Sequence, residues 1–199
     1  VGSTAAFCAE GLCERGRFGE SSKPTVYIFG SAEPTADAEI LAFAADALTG
    51  LGLSGKDFEF RVSHRDILGE LFRSFDADVD VRDAIRAVDK REKIDRAEYL
   101  GLLTDAGLSY DQAESFDDLV TGGDLDEIAA FGGDDVAGAV ANLRNVLDAV
   151  ADFGAREFCD VSLTTARGLD YYTGVVFECF DSTGEVSRSV FGGGRYDDL

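Results

Sequence analysis

The sequence predicts an α+β protein: a mixed, mostly antiparallel sheet with flanking helices and a helical insertion. Three observations carry that expectation. Short β-branched and aromatic runs recur toward both ends, at residues 25–30, 58–62, 157–163, 171–181 and 186–191. Between about residues 64 and 153 the apolar residues change to helical spacing, with short polar connections. A hydrophobic content of 45% with 15 Phe is enough to bury a core in a chain of 199 residues, which excludes wholesale disorder.

Taken in order, residues 1–24 show little periodicity, and Gly, Ser, Arg and Glu dominate 11–23, so this stretch reads as a loop-rich entry. Thr25-Val26-Tyr27-Ile28-Phe29 is a short strand closed by Gly30. Pro34 then opens a helix to about Leu51, whose apolar face is Ile40, Ala44, Ala47, Leu48 and Leu51. Phe58 to Val62 alternates as a second strand. The helical region carries apolar stripes at Ile67, Leu68, Leu71, Phe72 and Phe75, at Ala84, Ile85 and Val88, and at Val136, Val140, Leu143, Leu147 and Val150. Gly122-Gly123 and Gly132-Gly133 read as joints within it. Residues 157–163 form a return strand, and 171–181 with 186–191 an antiparallel pair.

Charge is the most unusual bulk property. With 39 acidic residues against 18 basic ones, the net charge is -21, and only Lys23, Lys56, Lys90 and Lys93 are lysines. The acids are spread along the chain rather than gathered in a tail, which favours adaptation to high salt over a dedicated acidic contact surface. Basic residues cluster only at Lys90, Arg91 and Lys93, where Asp89 and Glu92 nearly cancel them, so the chain offers little electrostatic pull for nucleic acid. Cys8 and Cys13 have no second pair or histidine beside them, and Cys159 and Cys179 fall in strands, so no metal site is predicted. His64, the single histidine, leaves no Ser-His-Asp or metal-histidine cluster to build and reads as a local hydrogen-bonding residue. There is no membrane-length apolar run and no signal-peptide pattern, so the expected location is cytoplasmic. The chain begins at Val1, contains no Met and stops just after a glycine-rich motif, so both ends are expected to lie inside a larger protein.

The chemistry concentrates in two stretches. Residues 164–178 read TTARGLDYYTGVVFE, and residues 192–199 read GGGRYDDL. The first sets a cation, Arg167, and two phenols, Tyr171 and Tyr172, ahead of a β-branched run, which suggests a strand edge opening into a pocket. A guanidinium offers a rigid fork suited to carboxylate or phosphate. On a regular strand Tyr171 and Tyr172 would face opposite ways, so only one could share a pocket with Arg167 without a kink. A Tyr-rich hairpin with a surface arginine is the plain structural alternative.

Together, RGLDYYTGVVFE and GGGRYDDL resemble the histidine-binding signature of histidyl-tRNA synthetases, and VYIFGSAEPTADAEIL with FEFRVSHRDIL is similar to the strand, helix and strand after motif 2 of that family. The resemblance spans about residues 25–199 and is most specific in the last forty. It implies a class II synthetase-like fold, with residues 1–63 as a partial catalytic core, 64–154 as a helical insertion that reaches toward tRNA, and 155–199 as the rest of the core. It also implies histidine, ATP and tRNA(His) as substrates and partners, with Mg2+ accompanying ATP, a homodimer, and a histidyl-adenylate intermediate. By motif match Arg167 is the catalytic residue at the α-phosphate and also contacts histidine. Tyr171, Tyr172 and Tyr196 line the histidine pocket, and Gly193 and Gly194 form its glycine-rich wall. Arg195 and Asp197 read more simply as a salt bridge shaping the turn.

The motif 2 region departs from the family. Gly19 stands where an ATP-gripping arginine is expected, Lys23 where a glutamine is expected, and Tyr27 where an acidic residue holds the substrate ammonium. Arg17 could replace the missing guanidinium only after a register shift. The chain is therefore expected to be inactive alone. Two other readings stay open: a non-catalytic paralogue such as the regulatory subunit of ATP phosphoribosyltransferase, and a scaffold or dimerisation module that keeps the fold only.

Overall fold

The computed structural model describes residues 25–75, 78–166 and 171–197, together with the backbone of 4–8. Its strands are β1 (Thr4–Cys8), β2 (Thr25–Phe29), β3 (Phe58–His64), β4 (Cys159–Val161), β5 (Val175–Asp181) and β6 (Phe191–Arg195). Its helices are α1 (Pro34–Gly50), α2 (Arg65–Arg73), α3 (Val81–Val88), α4 (Arg96–Asp105), α5 (Tyr110–Gly122) and α6 (Leu125–Asp152). The strands form one sheet in the order β2-β1-β6-β5-β3-β4. β1 runs antiparallel to β2 and to β6, β5 antiparallel to β6, and β3 parallel to β4, so the sheet is mixed and mostly antiparallel as expected.

The described residues fall into two compact units, one drawn from 1–62, 144–161 and 171–199, the other from 63–143 and 162–170. The first is the sheet unit. Phe60 is fully buried, with Phe177 edge-on at 5.9 Å and Phe191 at 6.1 Å between ring centroids, and Phe58 stacks on Phe158 at 5.0 Å. Helix α1 packs against β1 and β2. Pro34 opens this helix, where its missing N–H costs nothing, and Leu51 caps the other end.

The second unit is helical. Its helices start on side-chain caps: Asp80 for α3, Asp95 for α4, and a reciprocal Ser109–Gln112 box for α5. His64 caps α2, its Nδ1 accepting the Asp66 N–H at 3.3 Å while Nε2 faces Asn142 Oδ1 at 3.1 Å. Phe72 stacks on Phe116 at 4.2 Å in the core. The buried Asp117 carboxylate of α5 accepts from Arg91 Nε at 2.9 Å and Arg96 Nε at 2.7 Å, tying α4 and the segment before it to α5. Lys93 pairs with Asp89 at 2.9 Å, so two cations of the 90–93 cluster are engaged by acids of this unit. Of the two glycine joints, one closes α5 at Gly122, and the other is a break inside α6 at Gly133, whose φ of 74° is a conformation that suits glycine.

Several boundaries differ from expectation, among them the start of β5 at Val175 instead of 171. Residues 4–8, expected within a loop-rich entry, form β1, whose identity comes from pairing on both sides rather than from its own weak pattern. The return strand shortens to β4 because 156–158 make a turn of 3₁₀ helix. The last strand starts at Phe191 instead of 186, since the Asp181 carboxylate takes the N–H groups of Thr183 and Val186 at 2.8 Å each and holds the chain in a turn.

Candidate functional site

β5 and β6 bring the two signature stretches side by side. Thr173 donates its N–H to Arg195 O at 2.8 Å, and the ladder continues with Val176 opposite Gly194 and Phe177 opposite Gly193. Residues 171–174 precede the strand and are not part of it. Strand alternation therefore does not apply to Tyr171 and Tyr172, and the two rings lie next to each other at 4.7 Å instead of facing opposite ways. Tyr196 joins them at 6.1 Å from Tyr171, edge to face, and 6.4 Å from Tyr172. Tyr172 is 4% exposed and Tyr171 44%, so one ring is the floor of the cluster and the other its open side.

That floor needs glycine. A Cβ at Gly194 would lie 2.7 Å from Tyr172 Cδ1 and 2.9 Å from both Val175 O and Val176 Cγ1, closer than side chains tolerate. Gly194 thus lets the Tyr172 ring pack closely against the sheet. By alternation Gly193, paired with Phe177, turns toward the opposite face.

The register extends this face across the sheet. Gly194 pairs with residue 6 of β1, which pairs with Tyr27 of β2, so Tyr27 projects from the face that carries Tyr172. Tyr27 is half exposed and stacks with Phe29, itself 73% exposed, at 5.8 Å. The position where the family resemblance expects a carboxylate therefore presents a phenol over the same sheet face.

The neighbouring row points the other way. Arg195 and Ile28 share it through residue 5, and Arg195 reaches α1. Its Nε donates to both Asp37 oxygens at 3.1 Å and its Nη2 to Asp37 Oδ2 at 2.7 Å. Nη1 reaches Ser31 O at 3.3 Å and Nη2 reaches Glu33 O at 3.2 Å. The expected Arg195–Asp197 bridge exists, at 3.3 Å, but it is the lesser half of the arrangement. Burial pushes the Asp37 carboxyl above its ordinary range, and the Arg195 hydrogen bonds and charge oppose that push. Burial works against the Arg195 charge, yet Asp37 and Asp197 hold the guanidinium more firmly protonated than usual. Deleting one partner of such a buried pair costs about 3–5 kcal/mol, because the other is left uncompensated.

Asp37 was not singled out in the sequence. The available signal was an acid in the first turn of a helix, spaced three and four residues before Ile40 and Leu41 and so on the face they bury. Arg167 lies outside the described residues, as do Arg17, Gly19, Lys23 and Cys13. Cys159 and Cys179 are buried free thiols, both pushed up to about 12, by burial above all. Among the described residues no group of three or more His, Cys, Asp or Glu side chains comes together to hold a metal ion.

Comparison with known proteins gives one consistent outcome. The histidyl-tRNA synthetase family profile matches residues 17–199. A protein from Haloquadratum walsbyi named histidine–tRNA ligase is 70% identical over 99% of this chain and 46% of its own length. One of the same name from Halobacterium salinarum is 69% identical over 94% of this chain and 43% of its own. The chain thus spans a little under half the length of these relatives. Among solved structures, a histidyl-tRNA synthetase from a Nostoc species superposes with a TM-score of 0.73 at 25% identity, covering 85% of this chain and 42% of that one. A Bacillus halodurans structure titled ATP phosphoribosyltransferase regulatory subunit/histidyl-tRNA synthetase gives 0.70 at 21% identity, over 92% of this chain and 48% of that one.

Proposed function

Since the chain belongs to the histidyl-tRNA synthetase family, we propose that it is the histidine-holding part of a histidine–tRNA ligase and does not aminoacylate by itself. The carrying observation is the cluster of Tyr171, Tyr172 and Tyr196 seated on Gly194, which offers aromatic surface and phenolic hydrogen bonds to an imidazole side chain. In the whole protein the histidine carboxylate attacks the α-phosphate of ATP, pyrophosphate leaves, and the histidyl group passes from the adenylate to the 3′ end of tRNA(His). Arg167 is the residue proposed to offset charge growing on the phosphate, an interaction worth several kcal/mol in such sites, about 3 by comparison with other preorganised donors. Mg2+ enters with ATP as part of the substrate. The helical unit is proposed to face the tRNA, although Arg91 and Lys93 are engaged by Asp117 and Asp89. A cytoplasmic homodimer in a high-salt interior completes the proposal. The acid excess supports the salt, and no helix among the described residues is long and apolar enough to cross a membrane.

Tyr27 is the reason for proposing inactivity: a phenol stands where the family resemblance expects the carboxylate that holds the substrate ammonium. It also keeps open the second reading, a regulatory paralogue that senses histidine without activating it. Comparing the chain with its Tyr172→Ala variant tests the site. Histidine binding in the parent and its loss in a folded variant is the expected pair of results, whereas equal binding by both would remove the tyrosine cluster from the site. Pyrophosphate exchange into ATP separates binding from activation; the chain is expected to show none, and histidine-dependent exchange would overturn the assignment of inactivity.

A further inference from the structure

We propose that Asp37 is a positioning residue of the tyrosine site, setting Tyr172 and Tyr196 from the far face of the sheet through Arg195, Asp197 and Thr173. As far as histidine is concerned, this rests on the cluster being the pocket just described; the packing claim stands apart from it.

The chain of contacts is continuous and short. Asp37 grips Arg195 by Nε and Nη2. Arg195 Nη1 donates to Asp197 Oδ1 at 3.3 Å. The Asp197 N–H donates to Thr173 Oγ1 at 3.0 Å, and that hydroxyl donates on to Asp197 Oδ2 at 3.3 Å. The Thr173 N–H then closes the loop on Arg195 O. Tyr196 sits between Arg195 and Asp197 in the chain, and Tyr172 immediately precedes Thr173. Both ring-bearing residues are therefore flanked by members of the network, while the network's anchor lies on a helix 158 residues earlier than Arg195. Arg195 also holds the carbonyls of Ser31 and Glu33, so the same guanidinium fixes the entry to α1. Packing contributes too: the aliphatic part of Arg195 fills the space against Gly174, where an added Cβ would meet Arg195 Cδ at 3.1 Å. Because Arg195 and Gly194 occupy alternate rows, Asp37 acts on the opposite face from the rings and takes no part in contact with ligand. Loss of its charge leaves the guanidinium to Asp197 and the two carbonyls alone, and the Tyr196 and Tyr172 backbones lose their firmest common reference.

The chain has six tyrosines and no tryptophan, so near-ultraviolet circular dichroism reports tyrosine packing directly. The experiment compares the 199-residue chain with Asp37→Asn, and with Asp181→Asn as a control that breaks a turn of the same unit at the other end of β5 from the cluster. Asp37→Asn is expected to keep its far-ultraviolet spectrum, lose much of its tyrosine band and bind histidine about tenfold more weakly, as loss of an outer-shell contact typically does. Asp181→Asn is expected to lower the melting temperature while leaving band and affinity unchanged. A folded Asp37→Asn with the parental band and affinity overturns the proposal. If the parent binds no histidine but the band still collapses on substitution, the positioning claim holds and the histidine assignment fails. Should Asp37→Asn not fold, Arg195→Lys, which keeps the charge and loses the fork, decides on the same two readouts.

Discussion

Tyr172 and Gly194 form the tightest sequence-to-site relation in the chain: one ring is buried because one residue has no side chain. Gly194→Ala puts a methyl 2.7 Å from that ring and 2.9 Å from a carbonyl oxygen, so the ring must lift. The expected cost is about 1–3 kcal/mol in denaturant unfolding, the range for overpacking a filled site, with weaker histidine binding. The thiols of Cys159 and Cys179 give a second test. Burial raises both from 9.0 to about 12, with Arg156 pulling Cys159 partly back and Glu59 adding to the push on Cys179. Between those values the unfolded chain loses thiol protons that the folded chain keeps, so stability must fall as pH rises. Each thiol contributes a loss of about 1.4 kcal/mol per pH unit within that window. Urea titrations of the chain and of a double Cys→Ala variant should diverge in slope above pH 9. At this scale the tyrosines were legible as a motif. Their mutual contact was not, because it depends on the strand starting at Val175 rather than at Tyr171.

At the scale of elements, the sequence announced strands with strong β-branched or aromatic content and helices with clear stripes, and those are present. Elements defined by partners were hidden. β1 is a strand because β2 and β6 lie on either side of it. The Asp37–Arg195 latch joins two segments 158 residues apart, a relation that no local pattern encodes. Helical elements supply their own prediction. Asp117 is 1% exposed and serves two arginines from outside its helix, but both arginines are partly solvated, so Asp117→Ala should cost about 1–3 kcal/mol rather than the full cost of an isolated buried charge. In hydrogen exchange, amides of α3–α5 should lose protection while those of β5 and β6 keep theirs, as expected when one compact unit loosens on its own. Equal loss in both would show that the two units open as one.

For the whole molecule, the decisive quantity is the net charge of -21. Self-repulsion on that scale is screened only when the Debye length shortens from about 8 Å at physiological ionic strength to about 3 Å at 1 M. The melting temperature should therefore climb steeply from 0.1 M to molar KCl, and a flat or falling curve would remove the high-salt reading. Composition carried this property without any structural information, just as the signature stretches carried the family. The departure at Tyr27 was legible in the motif, but its place in the row of Gly194 was not, because that row is set by strand register. The measurement that bears most directly on the account is a calorimetric titration of the parent chain in molar KCl with histidine, set beside leucine and phenylalanine. Saturable binding of histidine at one site, with neither of the others competing, is the predicted result. No heat with histidine from a folded sample, or equal binding of all three, would contradict it.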